Sequence, residues 1–373
     1  MMTTIKARGL YVHVPFCVRK CNYCDFCSFP ESEITREKRT SYVDALVSEI
    51  FGYRQEPRCV IDTVFFGGGT PSLLEPSEIQ RIFSAIRESF EILPEAEITL
   101  EANPGTLTEE KLRAYKNLGV NRISIGLQSI HENEQKKLGR IHNYSDFLEC
   151  FRLARATGFE NISVDLMYGI PEQTLDSFAK TLDAVIALSP EHVSAYGLII
   201  EEGTPFFNCR ESLPLPTEDT ECDMYRLAVD KLTAAGYSHY EISNYAGPGR
   251  ESRHNLHYWR LDEYIGVGAA AHSYFDGRRY YNPDSLDEYT SGSRVYVDSS
   301  DDAEFEYAML AFRLAEGLSL DDFEAKFSHR FIDSREALIE RYVDLGYMRR
   351  DGQRLYLTDD GMYVSNAILA ELL

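Results

Sequence analysis

Three cysteines, Cys17, Cys21 and Cys24, stand in the stretch GLYVHVPFCVRKCNYCDFCSF at residues 9–29, with three residues between the first pair and two between the second. This spacing suits an iron-sulfur cluster. Three thiolates hold three irons of a cubane 4Fe-4S cluster, and the iron left without a protein ligand is open to a small molecule, as that of a fully ligated electron-transfer cluster is not. An open iron implies chemistry or a specific ligand. Zinc is the alternative: Cys24 and Cys27 form a C-x2-C pair with His13 nearby, although structural zinc usually takes four closed ligands in two separated pairs. A disulfide framework fits less well, because the chain is long and its cysteines are clustered. Cys59, Cys150, Cys209 and Cys222 read as ordinary thiols.

The elements that position this loop are legible from periodicity. Leu10 to Phe16 is an apolar strand, and Tyr42 to Phe51 carries its apolar residues at helical spacing. Ile61 to Phe66 is a buried strand ending in Gly67, Gly68, Gly69, Thr70 and Pro71, and Ser77 with Gln80 reads as a capping box before a helix over Glu78–Ser89. The alternation continues with strands at Glu97–Ala102, Arg122–Gly126, Ile162–Met167 and Val193–Ile199, and helices at Thr108–Leu118, Ser145–Thr157 and Ser177–Leu188. Strands alternating with helices imply parallel pairing. Six units fall short of the eight that close a complete barrel, so the fold class is α/β, a partial (βα)6 barrel with its site on the loops at the strand carboxyl ends.

Those ends carry polar residues after apolar runs: Glu101 after ITL, Gln128 after ISIGL, and Asp165 within ISVDLMYG. A buried carboxylate or amide without a partner costs about 1–3 kcal/mol, so several facing one space suggest a polar ligand. Singly, each is as well explained by a cap or turn hydrogen bond.

With 44% hydrophobic and 26% charged residues, the 373-residue chain reads as a well-cored globular protein of more than one domain. Sixty acidic residues against 38 basic ones, a net charge of -22, argue against a nucleic-acid partner. No apolar run approaches the length that spans a bilayer, so no integral membrane segment is expected and the protein is placed in the cytoplasm.

C-x3-C-x2-C after a strand, with Tyr23 just before the last cysteine, resembles the cluster motif of the radical S-adenosylmethionine (SAM) superfamily. The resemblance implies that the open iron binds the amino and carboxylate groups of SAM and that the chemistry belongs to the cofactor. It further implies that Tyr11, Tyr23, Gly68, Gly69, Thr70, Glu101, Gln128, Arg140 and Asp165 line SAM, Glu101 and Asp165 accepting from its amino and ribose hydroxyl groups and Arg140 meeting its carboxylate. GGGTP is the segment whose backbone approaches the cofactor. No catalytic residue is singled out.

Residues 200–217, with EEGTP and LPLPT, break the rhythm as a proline-bearing connector. A helix over Glu218–Ala235 and a strand over Tyr237–Ile242 follow, then RHNLHYW (Arg253–Trp259) and GVGAAAHS (Gly266–Ser273). His254 with Tyr258 and Trp259 offers either an aromatic packing corner or an imidazole and flat faces for haem. Helices near Phe305–Leu314, Leu320–Phe327 and Ser334–Leu345, a hairpin turning at Asp351-Gly352 and a final helix make a winged-helix-like module, here not basic and read as a lid or partner surface. The expected domains are 1–217, 218–300 and 301–373.

FFGGGTPSLL, ITLEANPGTL, GVNRISIGLQS, KLGRIH, DLMYGIP, YEISNYA and RHNLHYW together resemble the haem chaperones of the oxygen-independent coproporphyrinogen III oxidase-like family. The resemblance implies haem as cargo, held by His254 as axial ligand with Asn255, Tyr258 and Trp259, and apo-haemoproteins as acceptors. The oxidase itself is the runner-up, performing two oxidative decarboxylations. That enzyme continues its motif to C-x3-C-x2-C-x-C, where this chain has Phe26, and carries an extension before the cluster, where sixteen residues precede Cys17 here. A third expectation is a radical SAM enzyme acting on haem or another tetrapyrrole. Cys27 departs from the polar residue the pattern expects.

Overall fold

The apolar run that delivers the cysteine loop is a strand in the computed structural model of the chain, β1 (Arg8–Val14), with Leu10, Val12 and Val14 wholly buried. The structure describes residues 7–55, 57–292, 296–297 and 303–373. Helix α1 (Arg36–Gly52) follows, burying Tyr42, Val43, Leu46 and Ile50, with its first turn capped by the Thr35 hydroxyl, which accepts from the Lys38 N–H. The alternation continues through β2 (Cys59–Gly68), α2 (Pro76–Ser89), β3 (Phe90–Ala102), α3 (Glu109–Asn117), β4 (Arg122–Gln128), α4 (Glu132–Lys137), α5 (Tyr144–Ala156), β5 (Ile162–Tyr168), α6 (Leu175–Leu188) and β6 (His192–Gly197). Strands β1 to β6 pair in parallel in chain order, which is the expected partial (βα)6 barrel. Their carboxyl ends therefore share one rim.

Two local readings change. The Ser77–Gln80 capping box does not form: α2 starts with Pro76, and the Glu78 carboxylate accepts from the Glu75 N–H at 2.7 Å. Proline has no N–H to leave unpaired at a first helical position, so the cap moves upstream of it. Helix α4 has no counterpart in the sequence reading, being a short polar segment without an apolar stripe.

After α7 (Glu218–Ala234) come β7 (Ser238–Glu241), β8 (Asn244–Ala246), α8 (Arg253–Trp259), β9 (Tyr264–Val267), β10 (His272–Phe275), β11 (Arg278–Tyr281) and β12 (Tyr296–Val297). These α+β elements extend the barrel sheet at both margins, giving one order, β12-β11-β10-β9-β1-β2-β3-β4-β5-β6-β8-β7. Strand β9 lies parallel beside β1, so a seventh parallel strand closes over the cysteine-bearing one. RHNLHYW is the short helix α8 beneath that edge.

The C-terminal module comprises α9 (Ala303–Ala311), β13 (Leu318–Ser319), α10 (Leu320–Phe327), α11 (Glu336–Asp344), the hairpin β14 (Met348–Asp351) and β15 (Arg354–Leu357), α12 (Asp359–Tyr363) and α13 (Ser365–Leu372). Its core includes the buried Phe312, Phe323 and Phe331. Asp351 pairs with Arg354, so the hairpin loop is Gly352-Gln353, one residue later than expected, with Gly352 at φ 56°. The expected final helix is two, α12 and α13. The domain boundary expected at 300/301 lies outside the described residues. Among the described residues no helix is long and apolar enough to cross a membrane.

Candidate functional site

The loop after β1 presents Cys17 buried and Cys21 and Cys24 partly exposed, all as free thiols. Burial, then the neighbouring Cys21 and Cys17, push the Cys24 thiol up to about 11. Cys21 is raised by burial and then relieved by Arg140, while Cys17 is raised by burial against hydrogen bonds from Thr70 and Ser28. Mutually crowded thiols of this kind are turned to thiolates by a metal charge. Among the described residues no three His, Cys, Asp or Glu side chains converge closely enough for a single metal ion. The other groups weighed for zinc are turned elsewhere. His13 Nε2 donates to the Cys27 carbonyl at 2.8 Å, so its Nδ1 accepts from the Tyr11 hydroxyl at 3.0 Å, and burial lowers its pKa to about 4. The Cys27 thiol donates to the Asp284 carbonyl at 3.2 Å.

The glycine run at the end of β2 is required by the strand beside it. A Cβ on Gly68, whose φ is +108°, would sit 2.5 Å from the His13 ring, and one on Gly69 would sit 2.7 Å from the Phe16 carbonyl oxygen. The Gly69 N–H donates to the Val14 carbonyl at 2.8 Å, so that contact cannot widen cheaply. Gly69→Ala is expected to destabilise the fold by about 3 kcal/mol, at the upper end for overpacking against rigid backbone. A urea unfolding midpoint unchanged from wild type would contradict this.

Next to the run, the Glu101 carboxylate accepts from the Gly68 N–H at 3.2 Å. Burial, then the charge of Asp165, raise its pKa to about 8. Asp165 is itself raised by burial, although it accepts from the Ser124 hydroxyl at 3.1 Å and feels Arg122 and Arg140. Arg140 donates to the Gly126 carbonyl at 2.6 Å and to Asn103 Oδ1 at 3.1 Å. Asn103 Nδ2 donates to Thr70 Oγ1 at 2.9 Å, and Thr70 Oγ1 donates to Cys17 Sγ at 3.5 Å. One hydrogen-bonded line thus runs from Arg140 to Cys17. Tyr23 sits beside it, its hydroxyl raised by burial and by Cys21, with Arg140 acting the other way. Tyr11 closes the floor, its ring against Phe65 and its hydroxyl raised by burial and Glu101. Gln128, buried at the end of β4, holds φ +68°, a left-handed conformation rare for a side-chain-bearing residue. Strain of that order is kept where the surroundings impose it.

The fold therefore brings the residues expected for SAM together around one space. They fit an amino-acid ligand on two observations: Arg140 Nε is buried without a partner, and Glu101 is enclosed with a single N–H donor. Asn103, Ser124 and Thr106 were missed. Asn103 and Thr106 lie in the quoted ITLEANPGTL segment, where only the carboxylate drew notice.

The stretch expected to hold haem, RHNLHYW, packs behind Tyr11 and takes no part in this line. His254 is 1% exposed, its Nδ1 paired with Thr63 Oγ1 at 2.8 Å and its Nε2 with the Tyr258 hydroxyl at 2.8 Å. Its ring stacks against Phe65 and Tyr11, and a Cβ on Gly9 would touch it at 3.1 Å. Burial, then His257, hold its pKa well below the ordinary value. Presenting Nε2 to an iron means breaking its hydrogen bond to Tyr258, while Nδ1 can keep Thr63. Asn255 is half-buried, and Trp259 Nε1 is enclosed without a partner. His257, one turn along, is raised to about 9 despite burial, by hydrogen bonds to Asp262 and Asp62, and ties α8 to β2.

Residues 11–185 match the Radical SAM superfamily and residues 298–364 the HemN C-terminal domain. The protein named heme chaperone HemW of Lactococcus lactis is 34% identical over 99% of this chain and 98% of its own. The proteins of that name from Escherichia coli and Bacillus subtilis are 36% and 33% identical, covering 99% and 98% of this chain and 98% and 99% of their own. Among solved structures, coproporphyrinogen III oxidase (HemN) from Escherichia coli, a radical SAM enzyme, superposes with a TM-score of 0.82 at 24% identity over 98% of this chain and 90% of its own. At that identity the likeness is one of fold.

Proposed function

The chain belongs to the HemW family within the radical SAM superfamily, and on that premise we propose that it binds haem and passes it to apo-haemoproteins. The proposal includes a 4Fe-4S cluster held by Cys17, Cys21 and Cys24, with SAM beside it. The observation that carries the cofactor half is the line Arg140–Asn103–Thr70–Cys17, which couples an orphaned guanidinium donor to a cluster thiol. The full-length likeness to three proteins named for haem chaperoning supports the cargo.

When bound, the cluster supplies an open iron and an electron. The chain's own residues do the positioning. Glu101 offers its carboxylate to the N–H of an amino group, Asp165 held by Ser124 offers an acceptor to hydroxyls, and Arg140 Nε faces a carboxylate. Gln128 and Tyr11 wall the space against water.

Ferric haem titrated anaerobically into the reconstituted chain is expected to saturate near one haem per chain, and the loaded protein to transfer it to an apo-haemoprotein with a distinct Soret maximum. Absence of saturable binding would end the chaperone reading. The complete carboxylate and arginine set favours a second reading, a radical SAM enzyme acting on a tetrapyrrole, whose mark is porphyrin-dependent formation of 5'-deoxyadenosine.

A further inference from the structure

Glu134, in the short helix α4, is 1% exposed, and among the described residues no Lys, Arg or His is paired with its carboxylate. Three neutral donors meet it instead. The Ser129 hydroxyl donates at 2.6 Å, the Ser177 hydroxyl at 2.6 Å and the Gln173 amide at 3.1 Å. They come from three segments: the residue after β4, the first turn of α6 and the turn after β5. A carboxylate is costly to take out of water without a cation, and hydrogen bonds to it offset that cost only while all three segments keep their places.

That arrangement fixes α4, and with it Arg140. Gln135, next along α4, donates from Nε2 to the Ser129 carbonyl, and its own carbonyl accepts from the Arg140 N–H at 3.0 Å. Gln173 in turn accepts from the Ile170 N–H at 3.2 Å and donates to the carbonyl of Met167, two residues past Asp165, at 3.3 Å. The far end of α4 rests on the cysteine loop. The Asn22 N–H donates to the Leu138 carbonyl and Asn22 Nδ2 to the Lys137 carbonyl, both at 2.9 Å. A Cβ on Gly139, whose φ is +77°, would meet the Asn22 side chain at 2.9 Å, so the two backbones lie close. Helix α4 thus spans from the loop of Cys21 and Cys24 to the turn beyond Asp165, and Arg140, with Nε unpartnered, leaves from its end. A binding group on a segment held this way loses little freedom when its ligand arrives.

We propose that Glu134 is a positioning residue for SAM, holding α4 so that the Arg140 guanidinium meets the cofactor's carboxylate. The proposal rests on the SAM reading of the site. Glu134 acts through Arg140, its own oxygens being engaged by Ser129, Gln173 and Ser177. A role in folding alone would lower stability and leave the affinity of the folded protein for SAM unchanged.

Calorimetric titrations of SAM into the anaerobically reconstituted full chain test it. Glu134→Gln keeps the shape but turns an N–H toward donors, so at least one of the three bonds is lost. The variant is expected to bind SAM about tenfold more weakly, with iron content and circular dichroism as in wild type. Its affinity for 5'-methylthioadenosine, which lacks the amino and carboxylate groups, stays within about twofold of wild type. In an Arg140→Ala background the same substitution weakens SAM binding by less than about twofold, because the group being positioned is gone. The proposal is overturned if folded, iron-loaded Glu134→Gln binds SAM as wild type does, if methylthioadenosine weakens equally, or if the two substitutions multiply in full. Should Glu134→Gln not fold or load iron, Ser129→Ala replaces it: weaker SAM binding that disappears in the Arg140→Ala background supports the proposal, and unchanged binding overturns it. A wild-type chain that takes up no SAM would remove the SAM reading itself, an outcome distinct from any of these.

Discussion

Cys21→Ala is expected to strip the anaerobically reconstituted protein of its cluster, iron falling from about four atoms per chain to background along with the thiolate-to-iron absorbance. The size of the effect follows from the count: with three protein ligands the cluster has none to spare, and two thiolates leave two irons open. The same loss is expected for Cys17→Ala and Cys24→Ala. Cys27→Ala is the informative contrast, because that thiol already donates to the Asp284 carbonyl and lies outside the C-x3-C-x2-C set. Full iron content in Cys27→Ala with none in Cys21→Ala fixes the ligand set. Iron retained in Cys21→Ala would show that another thiol substitutes and would remove the triplet from its role. Loading should also release protons near neutral pH, since burial holds all three thiols above their ordinary value before metal arrives.

Much of the positioning scaffold was legible because it depends on contiguous residues. Leu10 to Phe16, Ile61 to Phe66 and Ile162 to Met167 are predominantly apolar runs, as a parallel strand buried on both faces tends to be. Glu101 and Asp165 stood out as carboxylates ending or interrupting such runs, and the fold turns both toward one space. What stayed hidden depends on distant partners. Strand β9 was missed because Gly266 and Gly268 look like turn residues, yet a Cβ on Gly268 would come 2.8 Å from the His13 carbonyl oxygen. Those glycines mark close approach of backbone. Thr63, the partner of His254, is 191 residues away, and pairing at that separation leaves no local pattern.

Glu101→Gln is expected to weaken SAM binding at least tenfold (about 1.4 kcal/mol), the scale of one charge-assisted hydrogen bond. The variant should also change how the protein responds to pH. Burial foremost, and Asp165 next, place the Glu101 pKa at about 8 in the folded chain, against the Gly68 N–H and Arg122 pulling it down. The folded state therefore holds a proton that the unfolded chain has released once pH passes the ordinary carboxylate value. Stability from this group is fully present below that value and is lost as pH rises toward about 8. Glu101→Gln removes the slope, so the variant gains on wild type as pH rises and gains nothing in acid. An amino group that gives its lone pair to iron and its N–H to Glu101 favours the carboxylate, expelling the proton; SAM affinity in wild type should thus climb up to about pH 8 and stay flat in the variant. Calorimetric titrations across that range, in buffers of different ionisation enthalpy, count the proton directly. Equal affinity and equal slope in both proteins would take Glu101 out of the site. Asp165→Asn supplies the internal control: with one like charge gone, the Glu101 pKa must fall, and the rise in SAM affinity must move to lower pH with it.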